Sequence, residues 1–229
     1  MRTDALTISL VVAALGAGPV QGQTSAGQPI ARGDVSLSTG TFSAATDQVD
    51  VLAIERAPYN PWVHMALVDV TAGYYWTDHL KTEIAAAWTT DGETSGSRVI
   101  VLQGLHTGWV YHTSHYTARQ VGIGQLWQFG RNAMFHPWIG AGVDVVRIEH
   151  ELDRPAQFAY VISSGGQPSQ SISVPRSLLT STTTRALPFA SAGFKAYFNE
   201  RAFVRSDLKL QIRNSVEHVV WKIGIGVDF

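Results

Sequence analysis

The side chains with the greatest catalytic potential lie in one short stretch, where His112 and His115 flank Ser114 and where Thr117 follows. A hydroxyl group becomes a nucleophile when a base lies within hydrogen-bond reach and a third group orients that base. The sequence names no convincing third group. His106 adds another imidazole, a common ligand of zinc or copper, but the spacing of the three histidines matches no closed metal site. We therefore expect no catalytic residues, no metal site and no cofactor.

A second set of chemically active side chains is a series of acids and bases that occupy alternate positions, as Arg205, Asp207 and Lys209 do. The side chains of a strand point alternately to its two faces, so each such series lies on one face. Buried charges are tolerated when they are paired and hydrogen-bonded, and acids and bases balance in this set. We expect an ionic network inside the fold, formed by Asp69, Glu83, Asp144, Lys195, Arg205, Asp207, Lys209, Arg213, Lys222 and Asp228.

The elements that must position these charges are predicted to be β-strands, because apolar and polar residues alternate through most of the chain. Glycines fall mostly on the polar face, as suits the concave side of a narrow barrel. The apolar stretch 99–111 fits either a strand extension or a loop. The predicted strands number eight and cover residues 33–42, 63–76, 80–89, 116–129, 135–149, 185–198, 202–213 and 216–229.

The connections between these strands alternate in length. Tight turns at residues 77–79, 130–133 and 199–201 alternate with longer connections, and only the last of those, around residues 214–215, is short. Short turns at one end and long loops at the other are typical of a transmembrane barrel, with the turns periplasmic and the loops outside. The sequence therefore predicts an all-β fold, an eight-stranded antiparallel up-and-down transmembrane β-barrel with short periplasmic turns and longer extracellular loops.

Aromatic residues support this membrane placement. Rings near strand ends form girdles at membrane interfaces. The last strand puts Val219, Trp221 and Ile223 on one face and stops on Phe229, which resembles the assembly signal read by barrel-insertion machinery. The aromatic residues near predicted strand ends are Trp62, Trp76, Trp88, Trp127, Phe129, Phe135, Trp138, Phe198 and Phe229.

Composition and the N-terminal residues limit the class of protein and predict how the chain is exported. Charged residues make up 15% of the chain and the net charge is −1, so nothing favours nucleic-acid binding. The chain has no cysteine and no apolar run of about 20 residues, the length of a membrane-spanning helix. Arg2 precedes the short apolar stretch 6–15, which predicts a cleaved signal peptide at 1–22. Residues 23–32 then form a flexible lead-in, and 33–229 form the barrel domain.

One hairpin carries a resemblance to a known group of proteins. Residues 119–146 contain the turn Gly130–Arg131–Asn132–Ala133, followed by Pro137–Trp138 and the alternating glycines Gly140 and Gly142. This hairpin and the terminal stretch 224–229 resemble the OmpA-type or OmpW-type eight-stranded barrels of bacterial outer membranes. The resemblance implies an outer-membrane location in the Gram-negative cell envelope. It also implies contacts with lipid and lipopolysaccharide, and assembly by the barrel-assembly machinery and periplasmic chaperones.

Because that group shares a fold and not an activity, the function is predicted only by class. We expect a non-catalytic integral barrel, structural or surface-displaying, whose lumen is filled by the ionic network. A narrow channel for small or hydrophobic solutes is the alternative. A lipid A-modifying hydrolase is a second alternative, because His112–Thr113–Ser114 resembles the His–x–Ser stretch of lipid A 3-O-deacylases. Thr117 and Ala118 stand where that family has Ser and Asn.

Overall fold

The structure is a computed structural model that describes residues 32–45, 62–102, 105–129, 134–162 and 168–229. The predicted signal peptide at 1–22 and nearly all of the predicted lead-in lie outside the described residues, so both stay predictions. Within the described ranges, no helix is long and apolar enough to cross a membrane.

The described residues form antiparallel strands joined by turns. The alternation seen in the sequence is the direct cause, because period-two patterning places one apolar face and one mixed face on each strand. The strands are β1 (Gly33–Ala45), β2 (Trp62–Tyr75), β3 (Leu80–Thr89), β4 (Gly92–Leu102), β5 (Leu105–Gln128), β6 (Phe135–Arg154), β7 (Gln157–Ile162), β8 (Pro168–Val174), β9 (Ser177–Tyr197), β10 (Ala202–Ile212) and β11 (Val216–Asp228).

Eight of these strands close into a ring. Their order is β3-β2-β1-β11-β10-β9-β6-β5, and β3 pairs with β5 to complete the circuit. Every pairing in the ring is antiparallel. The prediction of an eight-stranded antiparallel β-barrel is confirmed.

The barrel has a turn end and a loop end. The turn end holds the β2–β3 and β9–β10 turns, and there the backbones of Gly33 and Phe229 exchange hydrogen bonds of 3.0 and 2.9 Å. The loop end is the opposite one, where Arg213–Ser215 joins β10 to β11.

Several strands run further toward the loop end than the sequence predicted. β5 begins at Leu105, β6 continues to Arg154 and β9 begins at Ser177. β4 pairs with the first part of β5, so residues 99–102 and 105–111 are strand. β7 and β8 form a separate two-stranded sheet. The predicted loops 90–115 and 151–184 are therefore largely strand in their described parts. Alternation is weak there because Ser, Thr and His occupy both faces, so period two no longer marks the strands.

The outer face of the ring is apolar and the inner face carries the charges. Val35 and Leu37 of β1 point outward and are exposed, whereas Asp34, Ser36 and Ser38 point inward and are buried. A water-soluble barrel requires the opposite arrangement. The same outward apolar pattern continues around the ring through Val70, Ile84, Val121, Ile123, Ile139, Val143, Val145, Phe194, Leu208, Trp221, Ile223 and Ile225.

Two inward glycines allow neighbouring backbones to approach closely. A Cβ atom on Gly40 of β1 would collide with the Trp221 carbonyl oxygen and lie 2.6 Å from Lys222 Cα of β11. A Cβ on Gly142 of β6 would likewise collide with the backbone of β5. Glycine in a strand marks such close approaches and the bends that a small barrel needs.

Candidate functional site

The candidate functional site is the lumen, which is filled by side chains in successive layers. At the turn end, Lys81 Nζ donates hydrogen bonds of 2.8 and 3.1 Å to the Asp34 carboxylate. Lys195 also contacts Asp34, and its Nζ lies 3.4 Å from Asp228 Oδ1. The Tyr75 hydroxyl donates to Asp34 Oδ2 at 2.9 Å. This layer therefore joins strands on several sides of the ring around one carboxylate.

The next layer is centred on Arg205, a fully buried side chain of β10. Its guanidinium group donates to both carboxylate oxygens of Glu83, at 2.8 and 3.1 Å, and to Asp207 Oδ2 at 2.6 Å. Thr71 Oγ1 accepts a further hydrogen bond of 2.9 Å, and the guanidinium lies 5.7 Å from the Trp138 ring centroid. In the ring, β10 and β3 are four strands apart, so the Arg205–Glu83 pair crosses the full diameter of the lumen.

Two further ion pairs lie nearer the loop end. Lys222 Nζ of β11 lies 2.6 Å from Asp69 Oδ1 of β2 and 3.5 Å from Asp207 Oδ2. Lys209 Nζ of β10 lies 3.0 Å from Asp144 Oδ2 of β6. Lys222–Asp69 and Lys209–Asp144 each join strands that are two apart in the ring, so each pair passes over the strand between them on the inside of the barrel.

The structure brings together nine of the ten charges that the sequence places in the lumen, each buried and each within ion-pair distance of a partner. Arg213 is the exception, and the prediction that it lies in the lumen is wrong. It lies beyond the end of β10, its side chain is 53% exposed, and its Nη1 is 4.0 Å from Glu217 Oε1. The pairing register shifts between Gln211 and Ile212, so alternation counted along β10 no longer gives the orientation of Arg213.

Two members of the network, Asp34 and Lys81, were missed by sequence reasoning. Lys81 shares the parity of Glu83, and Asp34 shares that of Ser36 and Ser38, so the signal was present in both strands. Trp138 was misplaced at a membrane interface. It has the parity of Asp144, is buried, and contacts Arg205 inside the barrel.

The loop-end half of the interior is mainly apolar, with the buried polar side chains of His150, Gln211, Glu217 and His218 among its residues, which differs from the expectation of an ionic network throughout the lumen. The inward residues of 63–67 are Val63, Met65 and Leu67, so the inward face of this stretch carries no acid or base that could extend the ionic network. The buried cluster consists of Phe42, Ala44, Val63, Met65, Leu67, Ala87, Tyr116, Ala118, Val146, Ile148, Leu187 and Val220.

Small cavities remain between the described interior side chains. One lies beside Glu83, Trp138 and Lys209, and another lies beside Leu187 and His218. Each has a volume of about 20 Å³, enough for about one water molecule. Neither cavity has room for a solute larger than water.

The histidine-rich stretch lies on β5 and does not converge on one point. His112 shares the inward parity of Ser114, whereas His115 has the outward parity, where its Nδ1 lies 2.9 Å from Asp91 Oδ2. The side chain of His106 is not among those described. Within the described part of the chain, no cluster of three or more His, Asp or Glu side chains is arranged to hold a metal ion.

The sequence matches the family model described as "Outer membrane protein beta-barrel domain" over residues 8–229. The chain belongs to this family. Membership in this outer membrane protein family makes the chain a transmembrane β-barrel of the bacterial outer membrane, in agreement with its apolar outer face. No curated protein sequence matches the chain.

The chain is similar to several solved structures of bacterial barrels. The outer membrane protein OprG from Pseudomonas aeruginosa has 14% identity and a TM-score of 0.50, over 86% of this chain and 96% of OprG. Neisserial surface protein A has 10% identity and a TM-score of 0.49, over 86% and 97%. The N-terminal barrel domain of Pseudomonas aeruginosa OprF has 14% identity and a TM-score of 0.43, over 86% and 98%. At this identity the likeness to OprG concerns the fold alone.

Proposed function

We propose that this outer membrane protein is a non-catalytic, closed barrel that displays its loop-end strands at the cell surface. The observation that carries this proposal is the Arg205–Glu83 pair, which crosses the lumen between opposite strands at 2.8 Å. Lys222–Asp69 and Lys209–Asp144 lie on its loop-end side, and the Asp34 layer lies on its turn-end side. Ions or solutes passing through the barrel must break several buried ion pairs, which is costly where water is excluded.

The extension of β4, β5, β6 and β9 supports the display role. β10 has 11 residues, about the length that spans a membrane, whereas β5 has 24 and β6 has 20. The additional residues extend at the loop end, and the β7–β8 hairpin contributes further strands there. A barrel that serves only as an anchor does not require these extensions. The proposed partners are outer-membrane lipid and lipopolysaccharide, with the barrel-assembly machinery and periplasmic chaperones during biogenesis.

Planar-bilayer recording of the refolded chain tests whether the lumen is closed. We expect no stable, reproducible single-channel conductance from the natural sequence. The double variant Glu83→Ser, Arg205→Ser removes the pair that crosses the diameter, and we expect it to leak ions. Arg213→Ser is the matched control, since it removes an arginine outside the lumen, and we expect it to stay closed. Heat-modifiable gel migration verifies that each variant is folded before it is recorded.

A narrow channel for small or hydrophobic solutes is the second candidate. The buried apolar cluster in the loop-end half of the interior favours it, because apolar side chains accept hydrophobic molecules. If the natural sequence showed a stable conductance equal to that of the double variant, the closed-barrel proposal would be wrong and the narrow channel would be favoured. Lipid A mass spectra from cells with and without the chain test the hydrolase alternative, and the loss of an acyl group in cells carrying the chain would establish it.

A further inference from the structure

Two arginines on the outer face of the barrel stand directly opposite each other. Arg119 of β5 and Arg147 of β6 are register partners, and both are exposed. Opposite partners on one face of an antiparallel pair have Cβ atoms about 5 Å apart, and like charges at this position repel. An anion bound between the two guanidinium groups would attract both of them and offset their mutual repulsion.

Both arginines lie at the loop-end border of the apolar band. Phe129 lies on the outer face near the turn end, and Arg119 precedes it by ten positions. At about 3.3 Å per residue and a strand tilt of about 40°, this separation is about 25 Å along the barrel axis. The apolar band of an outer-membrane barrel is about 25 Å tall. The guanidinium groups are therefore at the height where the headgroups of the outer leaflet begin.

The neighbours of the pair fit this position. Trp88 of β3 is the register partner of Arg119, is 49% exposed, and is a residue typical of membrane interfaces. Val121 and Val145, two positions further toward the turn end, are exposed apolar partners in the same ladder. From Val121 and Val145 to Arg119 and Arg147, two positions toward the loop end, the outer face of β5 and β6 therefore changes from aliphatic to cationic, with the aromatic Trp88 beside it.

The two arginines differ in their local electrostatics. Arg147 Nη2 lies 3.1 Å from Glu149 Oε1, which lies on its loop-end side. Within the described ranges, no ion pair joins the side chain of Arg119 to an acid. Planar guanidinium groups bind phosphate through paired hydrogen bonds, and two of them can share one phosphate.

We propose that Arg119 and Arg147 bind a phosphate group of lipid A, the phosphorylated lipid of the outer leaflet. This proposal deepens the proposed lipopolysaccharide contact, because it rests on the loop end facing the outer leaflet. Glu149 positions Arg147 and also competes with the phosphate for that arginine.

Native mass spectrometry of the full mature chain, refolded in detergent and titrated with bis-phosphorylated lipid A, tests the site. The double variant Arg119→Gln, Arg147→Gln should bind this lipid at least about tenfold more weakly, because two charge-assisted hydrogen-bonding groups are lost. Arg201→Gln is the matched control, an exposed arginine at the turn end, and its binding should equal that of the natural sequence. Glu149→Gln removes the competing carboxylate and should strengthen binding.

Three further ligands identify the source of the phosphate. Dephosphorylated lipid A should bind weakly, and with equal affinity, to the natural sequence and to the double variant. Phosphatidylglycerol should bind the natural sequence with lower affinity than bis-phosphorylated lipid A. Displacement of lipid A by an equal concentration of inorganic phosphate would overturn the lipid assignment. Equal binding of lipid A to the natural sequence and the double variant would overturn the site itself. Because both arginines lie outside the lumen, that failure would leave the closed-barrel proposal and its conductance test unaffected.

Discussion

At the scale of single residues, Arg205 is the centre of the middle layer of interior ion pairs. It is fully buried and contacts Glu83, Asp207 and Thr71 at hydrogen-bond distance. Lys81 Nζ also lies 2.7 Å from Glu83 Oε2, and Lys222 Nζ lies 3.5 Å from Asp207 Oδ2, so each carboxylate has a second cation nearby. Removal of one member of such a group leaves the opposite charge buried without adequate compensation, which costs more than the intact pair contributes.

Replacement of Arg205 by methionine should therefore destabilise the barrel by about 3 kcal/mol or more, since it leaves Glu83 and Asp207 undercompensated. Adding Glu83→Gln to this variant should restore part of the stability, because one buried negative charge is removed. Denaturant unfolding in detergent, followed by tryptophan fluorescence, measures both changes. Arg213→Met is the control and should change stability by less than about 0.5 kcal/mol, since its side chain is largely exposed. Equal effects of Arg205→Met and Arg213→Met would contradict this assignment.

At the scale of elements, short turns connect the ring strands at one end, and close backbone contacts at Gly40 and Gly142 allow the sheet to curve. The positions of the eight ring strands follow from alternation, which is why the sequence predicted them all. Their lengths do not, because alternation fades where Ser and Thr occupy both faces. The glycines at close contacts show how a ring of only eight strands achieves its curvature.

Gly40→Ala should destabilise the barrel by about 1–3 kcal/mol, the usual cost of overpacking, because its Cβ would collide with the backbone of β11. A backbone that is held by ladder hydrogen bonds on both sides cannot move away easily. Gly140→Ala is the matched control, since its Cβ would meet no atom closer than 3.0 Å, and it should cost less. The two variants are compared by the denaturant midpoint of unfolding. Equal midpoints for Gly40→Ala and Gly140→Ala would contradict the prediction, because they would show that the backbones of β1 and β11 can move apart to accommodate the added Cβ.

At the scale of the whole molecule, the barrel is closed by β1 and β11 and presents opposite properties on its two surfaces. The outside is apolar along the ring, and the inside is ionic toward the turn end and mainly apolar toward the loop end. Phe229 belongs to the outer surface, where its side chain is 69% exposed, while its backbone pairs with Gly33.

Phe229→Ala keeps both backbone hydrogen bonds to Gly33 and removes only the exposed ring. We expect less folded barrel in the outer membrane, because the ring is the proposed assembly signal, and a stability change of about 1 kcal/mol or less. Quantification of the heat-modifiable band in isolated membranes measures assembly, and unfolding of the purified variant measures stability. Ile225→Ala, a second exposed apolar residue of β11, is the control. Normal membrane levels of Phe229→Ala would argue against the signal.

The sequence by itself determined the faces of the strands, since a period of two is a local property. It therefore placed Asp69, Asp144 and Lys209 inside the barrel and gave the eight strands of the ring. Only the tertiary structure decided which charges meet. The contact between Arg205 and Glu83 depends on ring closure, which brings β10 and β3 to opposite sides of one lumen. The facing of Arg119 and Arg147 depends on the stagger between β5 and β6, which no local pattern specifies.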